Sequence, residues 1–134
     1  MALNPKLDVG IRNGALDLLS TTLGSSPLMR WYDGTQPTDS NTALGSQVAG
    51  VELACSDTFA ASATGGSMTV NAITGANASA TLSPCTWHSF LTAAGVRKFD
   101  GSCGVATANL ILDTVTIGSG SPCTCTSYTF TMAA

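Results

Sequence analysis

The spacing of hydrophobic positions changes once along this chain, near Gly24. Ahead of it, Leu7, Ile11, Ala15, Leu18 and Leu19 recur at helical intervals, with Lys6, Arg12, Asn13 and Asp17 mostly elsewhere. Asn4 can cap such a helix, Pro5 sits where a missing N–H costs nothing, and Gly24 can end it, so a helix is predicted over 4–24. Gly10 and Gly14 weaken it by up to about 1 kcal/mol each relative to alanine, so it depends on packing. Either it covers a face or edge of a sheet, or it is an arm that docks on a neighbouring subunit through Leu7, Ile11 and Leu18.

Beyond Gly24 the text becomes short runs rich in Thr, Val and aromatics. Strands are expected over 28–32, 47–54, 67–74, 80–92, 96–99, 109–112, 115–117 and 124–132. Between them stand Asp33-Gly34, Gly65-Gly66, Gly75, Ala94-Gly95, Asp100-Gly101 and Gly118-Ser119-Gly120, all turn signals, while 38–46 reads as a polar loop. Seven or eight short strands so spaced predict a mainly β fold, an antiparallel β-sandwich or jelly-roll-like domain over 27–134 with one N-terminal helix. At 134 residues, with no linker or repeat, residues 1–134 form a single domain.

Charge alters the picture most. Asp, Glu, Lys and Arg make up 10% of the chain, against about 25% in ordinary globular domains. A surface so poor in charge lacks the usual device for staying monomeric and suits a subunit packed in an assembly. The net charge of −3 argues against a nucleic-acid partner, and Lys6, Arg12, Arg30, Arg97 and Lys98 form no basic stripe. No apolar run approaches the roughly 20 residues needed to span a bilayer. The start lacks the unbroken apolar stretch of a signal peptide, so a soluble protein made in a cytoplasm is expected, with no membrane partner.

Candidate chemistry is sparse. The one histidine, His88, is placed by strand alternation on the face of Thr86 and Phe90, away from Cys85. No nucleophile elbow or phosphate-gripping loop accompanies it, and the carboxylates fall into no paired spacing. No catalytic residue and no cofactor are therefore assigned. The cysteines are Cys55, Cys85, Cys103, Cys123 and Cys125. Cys123 and Cys125, one residue apart on an expected strand, point the same way and are poorly placed to bridge each other. Three roles stay open for Cys85, Cys103, Cys123 and Cys125: buried thiols, disulfides within or between subunits, and metal or redox work. Cys123 and Cys125 also have odd parity, whereas Tyr128, Phe130 and Met132 have even parity. If all five face the core, an extra residue must intervene near Thr126-Ser127.

Taken in order, Arg12-Asn-Gly-Ala-Leu-Asp17, Leu28-Met-Arg-Trp-Tyr-Asp-Gly-Thr-Gln-Pro37, Thr86-Trp87, Asp100-Gly-Ser-Cys-Gly104, Asn109-Leu-Ile-Leu112 and Thr126-Ser-Tyr-Thr-Phe-Thr131 resemble a group of small structural proteins of tailed bacteriophages. The resemblance implies a β-rich virion protein, foremost a capsid decoration (cement) protein and otherwise a neck or tail component. It implies partners of two kinds, the major capsid protein and copies of the chain itself, with a trimer favoured. It implies no enzyme activity and a place on the capsid exterior. A carbohydrate-binding sandwich is the rival, and it requires Trp31 or Trp87 to be exposed.

Overall fold

The computed structural model describes residues 6–133 of the chain. Asn4 and Pro5, the expected helix cap and first helical residue, lie outside them. The helix, α1, spans Val9–Leu23 and is capped instead by Asp8, whose carboxylate accepts the Gly10 N–H at 2.7 Å. At its end Gly24 takes φ 75°, a left-handed turn that glycine makes without Cβ strain, and returns its N–H to Ser20 O.

The face α1 buries is not the one its spacing suggested. Leu16 and Leu23 are buried and Leu19 packs beside them, while Ile11 and Leu18 stand 59% and 65% exposed. Polar side chains set this rotation. Asn13 Oδ1 accepts Gly66 N–H at 2.9 Å, Asp17 Oδ1 accepts Ala63 N–H at 2.7 Å, and Arg12 Nη1 donates to Met132 O at 3.2 Å. Three side chains that a surface helix normally turns to water therefore hold α1 onto the β-region.

Among the described residues ten strands follow: β1 Leu28–Tyr32, β2 Ala49–Cys55, β3 Ser67–Thr69, β4 Ile73–Thr74, β5 Ala76–Asn77, β6 Trp87–Leu91, β7 Arg97–Gly104, β8 Leu110–Ile111, β9 Pro122–Cys123 and β10 Thr129–Thr131. Six form one sheet, ordered β4-β2-β1-β6-β7-β8, antiparallel except between β7 and β8. Two antiparallel ribbons, β10-β3 and β5-β9, complete a mainly β fold with one helix. The inner face of the sheet contributes Met29, Trp31, Val51, Leu53 and Phe90 to the core, and the ribbons and α1 contribute Met68, Phe130, Cys123, Leu16 and Leu23. Phe90 touches Phe59, Phe130 and Tyr128 with ring centroids 5.0–5.5 Å apart, in edge-on or tilted contacts.

Every residue of β6 is buried, so the second face of the sheet is covered too. The loop of residues 33–48 does this. Trp87 stacks on Tyr32 with centroids 4.0 Å apart and donates Nε1–H to Asp33 O at 3.0 Å; Thr86 Oγ1 bonds Gly34 O. Over Trp87 lies the Arg97 guanidinium, 5.5 Å from the ring centroid, which pairs with Asp100 at 2.7 Å and donates to Thr42 O. The stretch 38–46 is the exposed polar loop expected of it, and it touches this layer through Thr42 O alone, while Asp33 and Gly34 cover Trp87.

Three expectations are corrected. The run 80–92 is a strand only over β6; Leu82 makes an isolated bridge to Ile117, and Cys85 N–H reaches Val115 O. Asp100-Gly101 lies inside β7 rather than at a turn, because Asp100 is held by Arg97 and Gly101 faces His88 across the ladder. The final run 124–132 is a strand only over β10; β9 ends just ahead of it and belongs to a different ribbon. Among the described residues no helix is long and apolar enough to cross a membrane.

Candidate functional site: the buried thiols and the exposed helix face

Two sets of residues singled out by the sequence are brought to defined places: the thiols around His88, and the outward face of α1.

His88 sits at the centre of β6 with its side chain wholly buried. Its Nε2 lies 2.8 Å from Tyr128 Oη and its Nδ1 lies 3.6 Å from Cys103 Sγ. The tautomer with its proton on Nε2 satisfies both contacts, donating to Tyr128 and accepting from the Cys103 thiol. Room for the ring comes from Gly101, directly opposite in the ladder: a Cβ there would lie 2.6 Å from His88 Cε1. Strand alternation set His88 apart from Cys85, yet Cys85 lies in the inner core, and the contact of His88 with Cys103 was missed because it crosses from β6 to β7. The available signal was the glycine, read instead as part of a turn.

This chain of Tyr128, His88 and Cys103 has the connectivity of a nucleophile and its base, but not the protonation. Burial holds the imidazole neutral, lowering its pKa to about 4 against the pull of the Ser102 and Gly101 backbone. The Cys103 thiol is pushed far up, first by the neighbouring Cys85 side chain and then by burial. Tyr128 is raised by burial as well. A neutral imidazole beside a protonated thiol activates nothing at neutral pH. Its physical effect is to tie the segment ahead of β10 to the middle of the sheet through a buried hydrogen bond.

All five cysteines are free thiols. Cys55, Cys85, Cys123 and Cys125 are buried and Cys103 is half-buried. Burial raises Cys55, to about 12, and also Cys123 and Cys125. Cys85 alone is lowered, chiefly by the neighbouring Cys103 side chain and also by the Tyr32 N–H. Cys123 and Cys125 share the core with Tyr128 and Phe130 despite their opposite parity. The change of parity occurs between β9 and β10, where the chain leaves the ladder and the Cys125 thiol donates to Ser127 O at 3.4 Å. Among the described residues no group of three or more His, Cys, Asp or Glu side chains is placed to hold a metal ion.

The second set faces outward. Leu7, just ahead of the cap, is 45% exposed, and Ile11 and Leu18 lie seven residues apart on one stripe of α1. The rest of that face is Gly10, Gly14, Ala15, Thr21 and Thr22, all exposed and uncharged, with the capping Asp8 exposed at its start. Because Arg12 and Asp17 are turned inward, the solvent side of α1 is its apolar side.

Trp31 is 3% exposed and Trp87 is fully buried, so neither offers a face on which a sugar ring could stack. Among the described residues, Trp31 Nε1 and Asp100 Oδ1 are buried without a hydrogen-bond partner. Compared with known protein families, curated proteins and solved structures, the chain matches none of them.

Proposed function

We propose that this chain is a structural protein of a tailed-phage virion, one that binds the outside of the assembled capsid as a decoration or cement protein and acts by oligomerisation and shell binding without catalysis. The observation that carries the reading is the inverted helix, whose charged side chains are spent on the fold while Leu7, Ile11 and Leu18 are presented to solvent. Surface helices ordinarily show the reverse arrangement, and an uncharged apolar face is a surface made for contact. The low overall charge and the phage-like sequence motifs support the same reading.

The partners are then the major capsid protein and further copies of the chain, arranged as a trimer. Stabilisation follows from mass action: a subunit that binds only the assembled shell adds its binding free energy at every site, and linked subunits add avidity. We further read the six-stranded sheet and the two ribbons as the layers of a β-sandwich, supported by the core side chains they share.

Co-sedimentation with purified capsids lacking this protein tests the proposal. The native chain should pellet with the shells, and the double substitution Ile11→Lys, Leu18→Lys should stay in the supernatant while remaining folded. Equal pelleting of both would remove the helix from the interface; no pelleting of either would remove the capsid. Binding confined to necks or tails would move the protein to those parts of the virion.

A further inference from the structure

We propose that Cys85 and Cys103 form an intrachain disulfide when the protein meets a small-molecule disulfide, which makes this pair a site of oxidative modification. The assignment starts from the backbone. Cys103 N–H donates to Thr86 O at 2.9 Å, so Cys103 lies across the ladder from the residue beside Cys85. A strand separation of about 5 Å and a one-residue step of about 3.4 Å place the two Cα atoms roughly 6 Å apart. That falls inside the window of about 4.4–6.8 Å that a disulfide spans.

The side chains agree with the backbone. Cys85 belongs to the core cluster and Cys103 packs against it from the same inner side of the sheet, so the two thiols are neighbours that perturb each other's ionisation. Cys123 and Cys125, the pair that stands out in the sequence, are poorer partners. Their thiols hydrogen-bond separately, to Ser121 O and Ser127 O.

The two thiols also differ in the way that exchange requires. Cys103 is half-buried and can be reached from solvent, whereas Cys85 is 1% exposed. The Cys103 thiolate attacks one sulfur of the small disulfide; a Cys103–S–S–R bond forms and R–S⁻ leaves. The Cys85 thiolate, which the Tyr32 N–H stabilises, then attacks the Cys103 sulfur. The intrachain bond forms and the second R–S⁻ leaves. Two electrons pass from the cysteine pair to the small disulfide, and the two thiol protons pass through water to the departing thiolates. Because Cys103 is reluctant to ionise, the first step is slow, on a scale of hours. The bond, once made, closes the β6–β7 hairpin. This inference does not depend on the proposed function.

Exposure of the folded, reduced protein to oxidised glutathione tests it, read by intact mass and by tryptic mapping after alkylation. Trypsin cuts after Arg97 and Lys98 and so separates Cys85 from Cys103, but it leaves Cys55 with Cys85 and Cys123 and Cys125 with Cys103, so fragmentation of the linked peptides assigns the bonded sulfurs. The expected result is loss of two hydrogens with no glutathione retained, and one linked pair of peptides. Cys55→Ala and Cys123→Ala should leave the link intact, whereas Cys85→Ser should stop at a glutathione adduct on Cys103. If Cys85→Ser does not fold, Cys103→Ser supplies the same test by giving no intrachain link. A link that runs through Cys55, Cys123 or Cys125 overturns the assignment. So does an unchanged mass under conditions that oxidise the urea-unfolded chain.

Discussion

Acid should destabilise this fold through His88 before its carboxylates become decisive. The imidazole titrates near 6.5 in the unfolded chain and near 4 in the fold, because burial disfavours its charged form. Between those values the unfolded state binds the proton and the folded state does not. The stabilisation is therefore fully present above pH 6.5 and is lost as the pH falls toward 4. The whole shift corresponds to about 3 kcal/mol, of which about 2.5 kcal/mol is already gone at pH 4.5. Against a total stability of about 5–15 kcal/mol for a domain, that is a large fraction. Urea unfolding of the native chain and of His88→Gln at pH 7, 6, 5 and 4.5 measures it. Glutamine can still hydrogen-bond Tyr128 but carries no charge in this range. Asp39, held below its ordinary pKa by hydrogen bonds from Thr42 and Asn41, and Asp100, raised by burial, titrate in both proteins. Their contributions cancel in the comparison. The native chain should lose about 2.5 kcal/mol more than the variant between pH 7 and 4.5. Parallel pH profiles, or an imidazole titrating near 6.5 by NMR in the folded protein, would refute the reasoning.

Other substitutions test the packing described above. Gly101→Ala should destabilise by about 1–3 kcal/mol in urea unfolding, since its Cβ meets the buried His88 ring. Tyr128→Phe should cost about 1–3 kcal/mol by leaving the His88 ring nitrogen unpaired in the core. Leu16→Ala should cost about 2–5 kcal/mol, whereas Leu18→Ala, two positions along α1, should change stability by no more than about 0.5 kcal/mol. Arg97→Met should cost about 3–5 kcal/mol at pH 7, because Asp100 would be left charged and buried at 4% exposure. Thermal or urea unfolding reads all four.

The elements written in local chemistry were legible from the sequence. β1 lies where alternation and the following Asp33-Gly34 place it, and Gly24 ends α1 as its freedom at positive φ allows. What escaped was set by partners far away in the chain. The outward rotation of Ile11 and Leu18 follows from Gly66, Ala63 and Met132, which claim Asn13, Asp17 and Arg12. A helical wheel cannot show which polar residues have buried partners. The burial of both faces of β6 depends on a loop folding over Trp87, and the Cys103–His88 contact depends on the β6–β7 register. Cys123-Thr-Cys125 drew attention as a reactive motif, yet it is core packing; the thiols placed to react are farther apart in sequence and adjacent in the ladder.

The central claim, that the chain serves on the outside of a phage capsid, is most directly tested by imaging purified virions with gold-labelled antibody against the native protein. The account predicts label distributed over the capsid exterior. Particles that carry no label, while the protein remains free in the lysate, would contradict it.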